Sequence, residues 1–380
     1  MSERILMISA AGELGGAERS FCELIRALPR ERIDVHVCVP PGCALTQALS
    51  GAVTIHEVEM QRFYRTLHPL EMAGRLQRMY RCARQIAQIC AAEKIQILHA
   101  NTDSAALIAW EASRQARLPF LWHCRDIRPM HGLARLLASR ASAVIAISRA
   151  VEEHLLSEGV KEEKISRILN GIDISPFAPN DSAARREIRG ELSIAPDAPL
   201  LLDVGALVPW KKHELFLETL AQVRQSIPET VGVIAGSDLF SQNKDYAQSL
   251  QARAAALDLD GRALKWLGQR PDVAALLSAC DLLVAPSENE PFGRVLAEAG
   301  ACGVPVVATR SGAKPEIVDE NITGLLCEPT AEALATACIT LLNDFPRRAE
   351  MGAQARRRAE WLFNIERVAV EFTALIAKSV

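Results

Sequence analysis

The stretch LLVAPSENEPFGRVLAEAGACG, residues 282–303, holds an apolar run, a polar loop and an amphipathic helix in immediate succession. Leu282–Ala285 is continuously apolar, which is typical of a strand that a parallel sheet buries on both faces. Pro286–Pro291 is polar, and apolar residues at helical spacing run from Gly293 to Gly303. A strand that leads through a short loop into a helix is one unit of a doubly wound α/β domain.

The same alternation recurs along both halves of the chain. The strand candidates are Ile5–Ser9, Val35–Val39, Val53–Val58, Ile95–His99, Phe120–Cys124, Ala143–Ile147, Leu200–Val204, Val231–Ala235, Leu264–Leu267, Leu282–Ala285 and Val304–Ala308. Amphipathic helical stretches include Ala17–Leu28, Pro69–Ala92 and Asp103–Arg117. Glycine, proline and polar residues interrupt the pattern at 170–182. The sequence therefore predicts two Rossmann-like α/β domains, residues 1–170 and 183–361, joined by a linker at 171–182 and facing a cleft.

Composition and charge exclude several classes of protein. The 380 residues are 49% hydrophobic and 23% charged with a formal net charge of −3, which is ordinary for a globular protein and unlike a nucleic-acid-binding one. The apolar run Ile5–Ile8 is too short for a signal peptide and is interpreted as a buried first strand, and no apolar run reaches the ~18 residues of a spanning helix. Ten scattered cysteines without a CxxC pair predict reduced thiols rather than a zinc site. We therefore expect a cytoplasmic protein with no nucleic-acid partner.

Two glutamates flank the predicted helix start in 282–303. One interpretation is an ordinary helix start with charged residues nearby. The other is a ligand site in which the N–H groups of Phe292–Val295 hold a pyrophosphate. Because carboxylates repel a pyrophosphate, we expect them to contact hydroxyl groups: Glu298 those of a ribose, and Glu290 those at the other end of the ligand. A sugar nucleotide offers all of these features in one molecule.

Glycines follow the first strand in AAGELGGAERS, residues 10–20. Gly15 and Gly16 precede a predicted helix, where glycine permits close approach of a phosphate to the helix N-terminus. Their spacing does not match the dinucleotide fingerprint GxGxxG, and a tight strand–helix turn is an equally good interpretation.

Two other predicted strand ends carry ionisable side chains. His123 ends the strand FLWH, which predicts that its ring faces the cleft rather than the core, although a structural histidine is equally consistent. After Gly205, the residues Lys211 and Lys212 lie near a helix start, where cations are unfavourable unless an anionic ligand is bound. Two solvated lysines are the alternative.

Together these stretches resemble the retaining glycosyltransferases of family 4, which have the GT-B fold. LGGAERS at 14–20 is similar to the family's glycine-rich loop, and VGALVPWKKH at 204–213 is similar to its loop with a phosphate-binding lysine. Residues 143–173, which end in Asn-Gly-Ile-Asp, resemble the family's approach to the interdomain linker, and 285–318 resemble its E-x7-E region. The four stretches occur in family order, and the resemblance covers nearly the whole chain.

The resemblance implies a role for each candidate. Glu290 would contact hydroxyls of the transferred sugar, Lys211 would neutralise the leaving diphosphate, and His123 would lie against the donor sugar; these are the implied catalytic residues. The implied donor-binding residues are Gly15, Gly16, Gly205, Lys211, Lys212, Pro291, Phe292, Gly293, Arg294, Val295 and Glu298. Neither a metal nor a cofactor is expected, because helix dipoles and cations stabilise the leaving group. The family also implies that a C-terminal helix at 362–380 packs on the first domain.

The sequence departs from the family pattern at Ala206, where members commonly have an arginine as a second phosphate-binding cation. We expect Lys212 or Arg294 to substitute for it in part. Unchanged donor affinity in both Lys212→Ala and Arg294→Ala would contradict this expectation.

The expected function is transfer of a hexose or N-acetylhexosamine from a nucleotide diphosphate sugar to an acceptor hydroxyl with retention of anomeric configuration, in cell-surface glycan or glycolipid biosynthesis. UDP-sugars are expected over GDP-sugars on family frequency alone. The alternatives are a nucleotide-sugar 2-epimerase and a catalytically silent sugar-nucleotide-binding protein, the second of which Ala206 suggests.

A basic segment at 61–94 has an apolar stripe at helical spacing: Leu76, Met79, Ala83, Ile86 and Cys90. Peripheral contact with anionic lipid at the inner membrane surface is one interpretation, as in relatives that glycosylate lipids. A packed helix with a solvated basic face is the favoured one. The loops 62–69 and 125–132 are expected to read the acceptor, whether a glycan, a glycolipid or a small molecule.

Overall fold

A computed structural model, which describes residues 2–60, 68–179, 181–238, 243–259 and 261–380, divides the chain into two compact units. The first comprises Met1–Gly171 together with Ile365–Val380, and the second comprises Ile172–Asn364. Each unit contains one parallel sheet whose strands alternate with helices along the chain. This arrangement confirms the predicted class of two Rossmann-like α/β domains. Most of the predicted linker belongs to the second unit.

The first unit has a seven-stranded sheet with the order β3-β2-β1-β4-β5-β6-β7, and all of its pairings are parallel. The strands are β1 Glu3–Ile8, β2 Ile33–Val39, β3 Thr54–Glu57, β4 Ile97–Ala100, β5 Phe120–Cys124, β6 Ala143–Ala146 and β7 Ile165–Arg167. The helices between them are α1 Gly16–Ala27, α2 Ala44–Leu49, α3 Pro69–Ala92, α4 Asp103–Ala116, α5 Leu133–Arg140 and α6 Arg149–Ser157.

The second unit has a six-stranded parallel sheet with the order β10-β9-β8-β11-β12-β13. Its strands are β8 Leu200–Val204, β9 Val231–Ala235, β10 Leu264–Trp266, β11 Leu282–Ala285, β12 Val306–Thr309 and β13 Gly324–Cys327. Its helices are α7 Ser182–Glu191, α8 His213–Ser226, α9 Lys244–Ala256, α10 Val273–Ala279, α11 Arg294–Ala301, α12 Lys314–Ile317, α13 Ala331–Asn343 and α14 Phe345–Leu362. The chain reverses its direction of strand addition between β8 and β11, and ligands of doubly wound sheets bind at this point.

The last helix, α15 (Ile365–Ser379), returns to the first unit. Phe372 and Ile376 of α15 are completely buried, in one apolar cluster with Phe21 and Ile25 of α1. Two completely buried aliphatic or aromatic side chains remove enough apolar surface from water to contribute about 3–6 kcal/mol. The core of the first unit is therefore built from residues at both ends of the sequence.

Two strands were not predicted, β7 and β13, and each lies at one edge of its sheet. Ile165–Arg167 has three residues and none of them is buried, and Gly324–Cys327 is half-buried with alternating exposure. Edge strands lack the continuous apolar run that identifies central parallel strands, so neither segment resembled the strands that were predicted. Among the described residues, no helix combines the length and the apolar character that crossing a bilayer requires.

Candidate functional site

Lys211 and Glu290 meet at the reversal point of the second unit's sheet. Lys211 lies in the loop after β8, and Glu290 lies in the loop after β11. The Lys211 Nζ donates to both carboxylate oxygens of Glu290, at 3.0 Å and 2.8 Å. Both side chains are largely withdrawn from solvent, with 15% and 10% of their surfaces exposed. The structure thus brings together two of the residues predicted to act in catalysis.

Glu290 is ionised despite its burial. Burial opposes ionisation, but the charge and hydrogen bond of Lys211, a hydrogen bond from Ser287 and the charge of Lys314 together hold the pKa of Glu290 below its usual value. The carboxylate is therefore a fixed negative charge at neutral pH, in a place where water does not screen it well.

Two glycines let the loop after β8 take its path. A Cβ on Gly205 would lie 3.2 Å from Cδ and Cε of Lys211, so the missing side chain makes room for the lysine stem. A Cβ on Gly236 would lie 1.7 Å from the carbonyl oxygen of Gly205, a separation that atoms cannot adopt. Gly205 was a predicted site residue, and in the structure it provides space for the Lys211 side chain. Gly236 was not predicted.

His213, at the first turn of α8, ties this loop to the sheet. Its Nδ1 lies 2.7 Å from Oδ2 of Asp203 and its Nε2 lies 3.0 Å from the carbonyl oxygen of Ala206. Burial disfavours the charged ring, but the Asp203 carboxylate and the Ala206 carbonyl outweigh it and raise the pKa of His213. Both neighbours are acceptors, so the ring donates from both nitrogens as an imidazolium. The backbone at Ala206 is thereby held in place although its side chain carries no charge.

The loop after β11 is held on both sides by backbone groups. The Glu288 N–H donates to the carbonyl of Trp210 at 2.8 Å, which joins this loop to the one that carries Lys211. The carbonyl of Glu290 accepts from the N–H of Ala313 at 2.9 Å. Gly312 has a φ of +59°, and a Cβ there would lie 2.4 Å from the Glu290 carbonyl oxygen. The backbone of Glu290 is therefore packed directly against a glycine.

Lys314, at the start of α12, is completely buried behind the same loop. Its Nζ donates to Oγ1 of Thr309 at 2.5 Å, to Oγ of Ser287 at 3.2 Å and to the Ser287 carbonyl. Lys314 was not among the predicted site residues, because a lysine in a short helix after a glycine is usually solvated. No sequence signal available without the structure would have identified it as buried.

The helix that was predicted to begin near Gly293 does so. Gly293 is the N-cap of α11 with a φ of +88°, and the buried ring of Phe292 packs against Phe363 with ring centroids 5.7 Å apart. Arg294 and Glu298 form an ion pair one turn apart, with Nε 2.8 Å from Oε1. The helix N-terminus and Glu298, the second glutamate of the predicted E-x7-E region, thus lie on one helix that follows Glu290 in the chain. Pro291 lies in the loop before this N-cap, and Val295 is the second residue of α11.

Lys212 has weaker contacts than Lys211. Its Nζ lies 3.6 Å from Oε1 of Glu288 and 3.9 Å from Oε1 of Glu214, and a third of its side chain is exposed. Such exposed ion pairs contribute at most about 1 kcal/mol. Whether Lys212 or Arg294 replaces the family's arginine stays a prediction, and both have acidic neighbours here.

In the first unit, Gly15 and Gly16 begin α1. The N–H of Gly15 donates to Oε2 of Glu18 at 3.1 Å, so a carboxylate of the chain itself already occupies this donor. A Cβ on Gly16 would meet no described atom within 4 Å, so the backbone there borders open space. A phosphate could approach the backbone at Gly16. At Gly15 it would compete with the Glu18 carboxylate for the N–H group.

The expectation that the His123 ring avoids the core was wrong. His123 is 2% exposed, its Nδ1 lies 3.2 Å from Nε2 of His99, and its ring stacks on Phe372 of α15. Burial, with the nearby charge of Arg125 and the contact with His99, holds the pKa of His123 well below its usual value. The cause is α15, which covers the end of β5. Among the described residues the Nε2 atom of His123 has no hydrogen-bond partner, so one buried polar atom of the neutral ring is left unsatisfied.

The arrangement in the second unit suits an anionic ligand that also carries hydroxyls. Lys211 and the first turn of α11 offer positive potential, while Glu290 and Glu298 accept hydrogen bonds. No group of three or more histidine, cysteine, aspartate or glutamate side chains in the described part of the chain could hold a metal ion.

Comparison with known families gives two matches, one for each half of the chain. Residues 14–176 match the profile described as Glycosyltransferase Family 4, and residues 184–358 match that described as Glycosyl transferases group 1. Together the matches include every candidate residue named above.

Individual relatives agree with these profiles. The chain is 34% identical over 203 residues to a D-inositol 3-phosphate glycosyltransferase of Corynebacterium efficiens, an alignment that covers 52% of this chain and 47% of that protein. It is 25% identical over 307 residues to N-acetyl-alpha-D-glucosaminyl L-malate synthase of Bacillus anthracis, covering 77% of each. The chain spans about half the length of the first curated relatives that it matches.

The fold is also similar to solved structures over its full length. A crystal structure of the Anabaena protein HepE in complex with UDP-glucose superposes with a TM-score of 0.84 at 28% identity, covering 99% of this chain and 100% of that one. A second structure of HepE, with UDP and glucose, superposes with a TM-score of 0.85 at 26% identity.

Proposed function

Because this chain belongs to glycosyltransferase family 4 and its two units have the GT-B type of fold, we propose that it is a retaining glycosyltransferase that uses a nucleotide diphosphate sugar. The observation that carries the proposal is the Lys211–Glu290 pair at the reversal point of the second sheet. A cation there can neutralise a leaving diphosphate, and a fixed carboxylate can accept hydrogen bonds from the sugar and stabilise positive charge at the reacting carbon.

In this proposal the helix N-terminus of α11 binds the phosphates and Glu298 accepts hydrogen bonds from the ribose. The donor-binding role of Gly16 stays a prediction. The role of His123 against the donor sugar stays a prediction, because its ring is buried in this structure. Neither a metal nor a cofactor takes part. The transferred group is a hexose or an N-acetylhexosamine, and the acceptor is a hydroxyl of a glycan, a glycolipid or a small molecule.

UDP-sugars are the favoured donors. HepE, the structural neighbour with the highest TM-score given above, was crystallised with UDP and glucose. A relative in Mycolicibacterium smegmatis, 30% identical over 59% of this chain, is named as GDP-mannose-dependent, so guanine nucleotides belong in the same screen.

Donor hydrolysis without an acceptor tests the proposal. Purified protein is screened by thermal shift against UDP- and GDP-sugars in the absence of added metal, and release of the nucleoside diphosphate is measured by chromatography. We expect one sugar nucleotide to raise the melting temperature by several degrees, since a ligand at 100 times its Kd adds ~2.7 kcal/mol, and to release diphosphate slowly. Stabilisation without release, even with candidate acceptors present, would favour the silent binding protein that Ala206 suggests. No stabilisation by any sugar nucleotide contradicts the proposal.

Peripheral membrane contact is a separate part of the proposal and concerns α3. Leu76, the first residue of the predicted apolar stripe, is 46% exposed, and Tyr80 is 49% exposed. Arg78 and Arg81 are exposed on the same stretch of helix, while Arg62 and Arg65 of the predicted basic segment and most of the loop 62–69 lie outside the described residues. Ala83, Ile86 and Cys90, farther along the same stripe, are buried. Their burial agrees with the favoured interpretation, a packed helix with a solvated basic face.

Co-sedimentation with vesicles that contain anionic lipid distinguishes the two interpretations. Contact with lipid predicts binding at low salt that high salt weakens, and that Arg78→Glu combined with Arg81→Glu abolishes. Absence of binding at both salt concentrations leaves only the packed helix. A cytoplasmic location is part of this proposal as well.

A further inference from the structure

Lys314 is a buried cation to which the proposed function gives no role. Its side chain is completely withdrawn from solvent, although burying an ammonium is costly. The three acceptors around Nζ, two on Ser287 and one on Thr309, match the three N–H donors of an ammonium, and all are neutral. No carboxylate among the described residues lies within ion-pair distance of it. The charge is thus solvated by the protein without being cancelled by a direct partner.

The groups that hold Lys314 also hold Glu290. Ser287 is three residues before Glu290, and its carbonyl accepts from both Lys314 and the Thr309 hydroxyl, the latter at 2.7 Å. The N–H of Ala313, next to Lys314, donates to the Glu290 carbonyl. Removing the ammonium would release one side of the loop that carries Glu290.

The charge balance of the site requires another cation. Lys211 and Glu290 are paired one to one and sum to zero, which leaves no net positive charge for a diphosphate. The family's arginine is absent at Ala206, and the two expected substitutes, Lys212 and Arg294, have acidic neighbours. With Lys314 counted, the buried group has a net charge of +1.

We propose that Lys314 is a positioning residue and the second fixed cation of the diphosphate site: it anchors Ser287 beneath Glu290 and offsets the Glu290 charge, which leaves Lys211 to bind the phosphates. The inference rests on the proposed use of a nucleotide diphosphate donor. Lys314 acts through Ser287 and through its electric field, and it does not contact the substrate.

The test is the affinity of Lys314→Met for UDP and for UMP, measured by calorimetry at pH 7 beside the wild type. Methionine keeps the length and apolar volume of the stem and removes the charge. We expect about ten- to thirtyfold weaker binding of UDP, the effect of one charge interaction through protein of intermediate dielectric, and a smaller loss for UMP. Lys265→Met is the matched control, because it makes the same change to a lysine on β10, at the far edge of the same sheet, whose contact with the Gly261 carbonyl is exposed; we expect it to retain most of the UDP affinity.

A pH profile separates this role from a merely structural one. Burial lowers the pKa of Lys314 from 10.5 to about 8; Glu290 opposes this, Lys211 adds to it, and Glu288 and Asp203 oppose it more weakly. The cation is present below this pH and lost above it, so UDP affinity of the wild type should fall as pH rises through about 8. The profile of Lys314→Met should lack this fall.

Stability of the unliganded protein gives the second readout. Because the folded pKa lies below the unfolded value of 10.5, the ammonium costs stability below about pH 8, and the cost disappears as pH rises toward 10.5. We expect Lys314→Met to melt at pH 7 no lower than the wild type.

The outcomes are distinct. Equal UDP affinity of wild type and Lys314→Met, or a variant that only loses stability, overturns the role of Lys314 and leaves the proposed function intact. A wild-type protein that binds neither UDP nor GDP overturns the proposed function, and this inference with it.

Discussion

Replacing Glu290 by glutamine should lower the turnover number for sugar transfer by about a hundred- to a thousandfold, the usual loss when one preorganised electrostatic contact to the transition state is removed. Glutamine has nearly the same shape and keeps one acceptor oxygen, so the loop should remain in place. The charge that faces Lys211 disappears, however, and the positive charge that develops on the sugar loses its counter-charge. Steady-state kinetics with the donor identified by the hydrolysis screen measures this effect.

The same substitution should leave binding of the free nucleoside diphosphate unchanged or make it tighter, because a negative charge near the phosphates has been removed. The matched control is Glu288→Gln, two residues earlier in the same loop, whose side chain is 49% exposed and faces Lys212 at 3.6 Å. We expect the control to keep most of its turnover. Comparable losses in the two variants would mean that the loop is sensitive to any change of charge, and a fully active Glu290→Gln would remove Glu290 from the mechanism.

Replacing Gly312 by alanine should destabilise the second unit and abolish transfer, although Gly312 contacts no substrate in the proposed function. Two effects add. A positive φ costs a residue with a Cβ ~1–2 kcal/mol, and the new Cβ would lie 2.4 Å from the carbonyl oxygen and 2.5 Å from the nitrogen of Glu290. Relief of such a clash requires a backbone shift, which typically costs ~1–3 kcal/mol and displaces the carboxylate from Lys211.

Gly268→Ala isolates the first effect. Gly268 has a φ of +63° but a Cβ there would meet no described atom within 4 Å. Chemical unfolding should therefore show a loss of ~1–2 kcal/mol for Gly268→Ala and roughly twice that for Gly312→Ala, with transfer retained only in the former. Equal losses of stability and retained activity in both variants would show that the packing of Gly312 against Glu290 does not constrain the site.

The sequence was sufficient to predict the central strands of both sheets. A strand that is buried on both faces, such as Leu282–Ala285, needs apolar residues at every position, whichever helices pack on it. It was also sufficient to bring Lys211 and Glu290 together, since both follow strands that end at the same edge of a parallel sheet. It failed at two of the four edge strands, β7 and β13, where few residues are buried.

The environment of His123 was predicted wrongly because the residues that cover it come from α15, almost 250 positions later in the sequence. Lys314 was missed for a related reason: its acceptors lie in the loop after β11 and at the end of β12, 27 and 5 residues away. The tie between Gly15 and Glu18 was readable, since a glutamate three residues after a helix cap is a known signature, but it was not used. Long-range packing, rather than local pattern, decided the environment of His123 and contributed to that of Lys314.

The return of α15 to the first unit has a consequence for biosynthesis. The ribosome releases the chain from its N-terminus, so all of the residues of the second unit emerge before Phe372 and Ile376 do. Until then Phe21 and Ile25 of α1 lack the side chains that cover them, and the first unit exposes an apolar face. The unit that is translated first is therefore the last whose core can close, and the nascent protein depends on its final helix to protect its beginning.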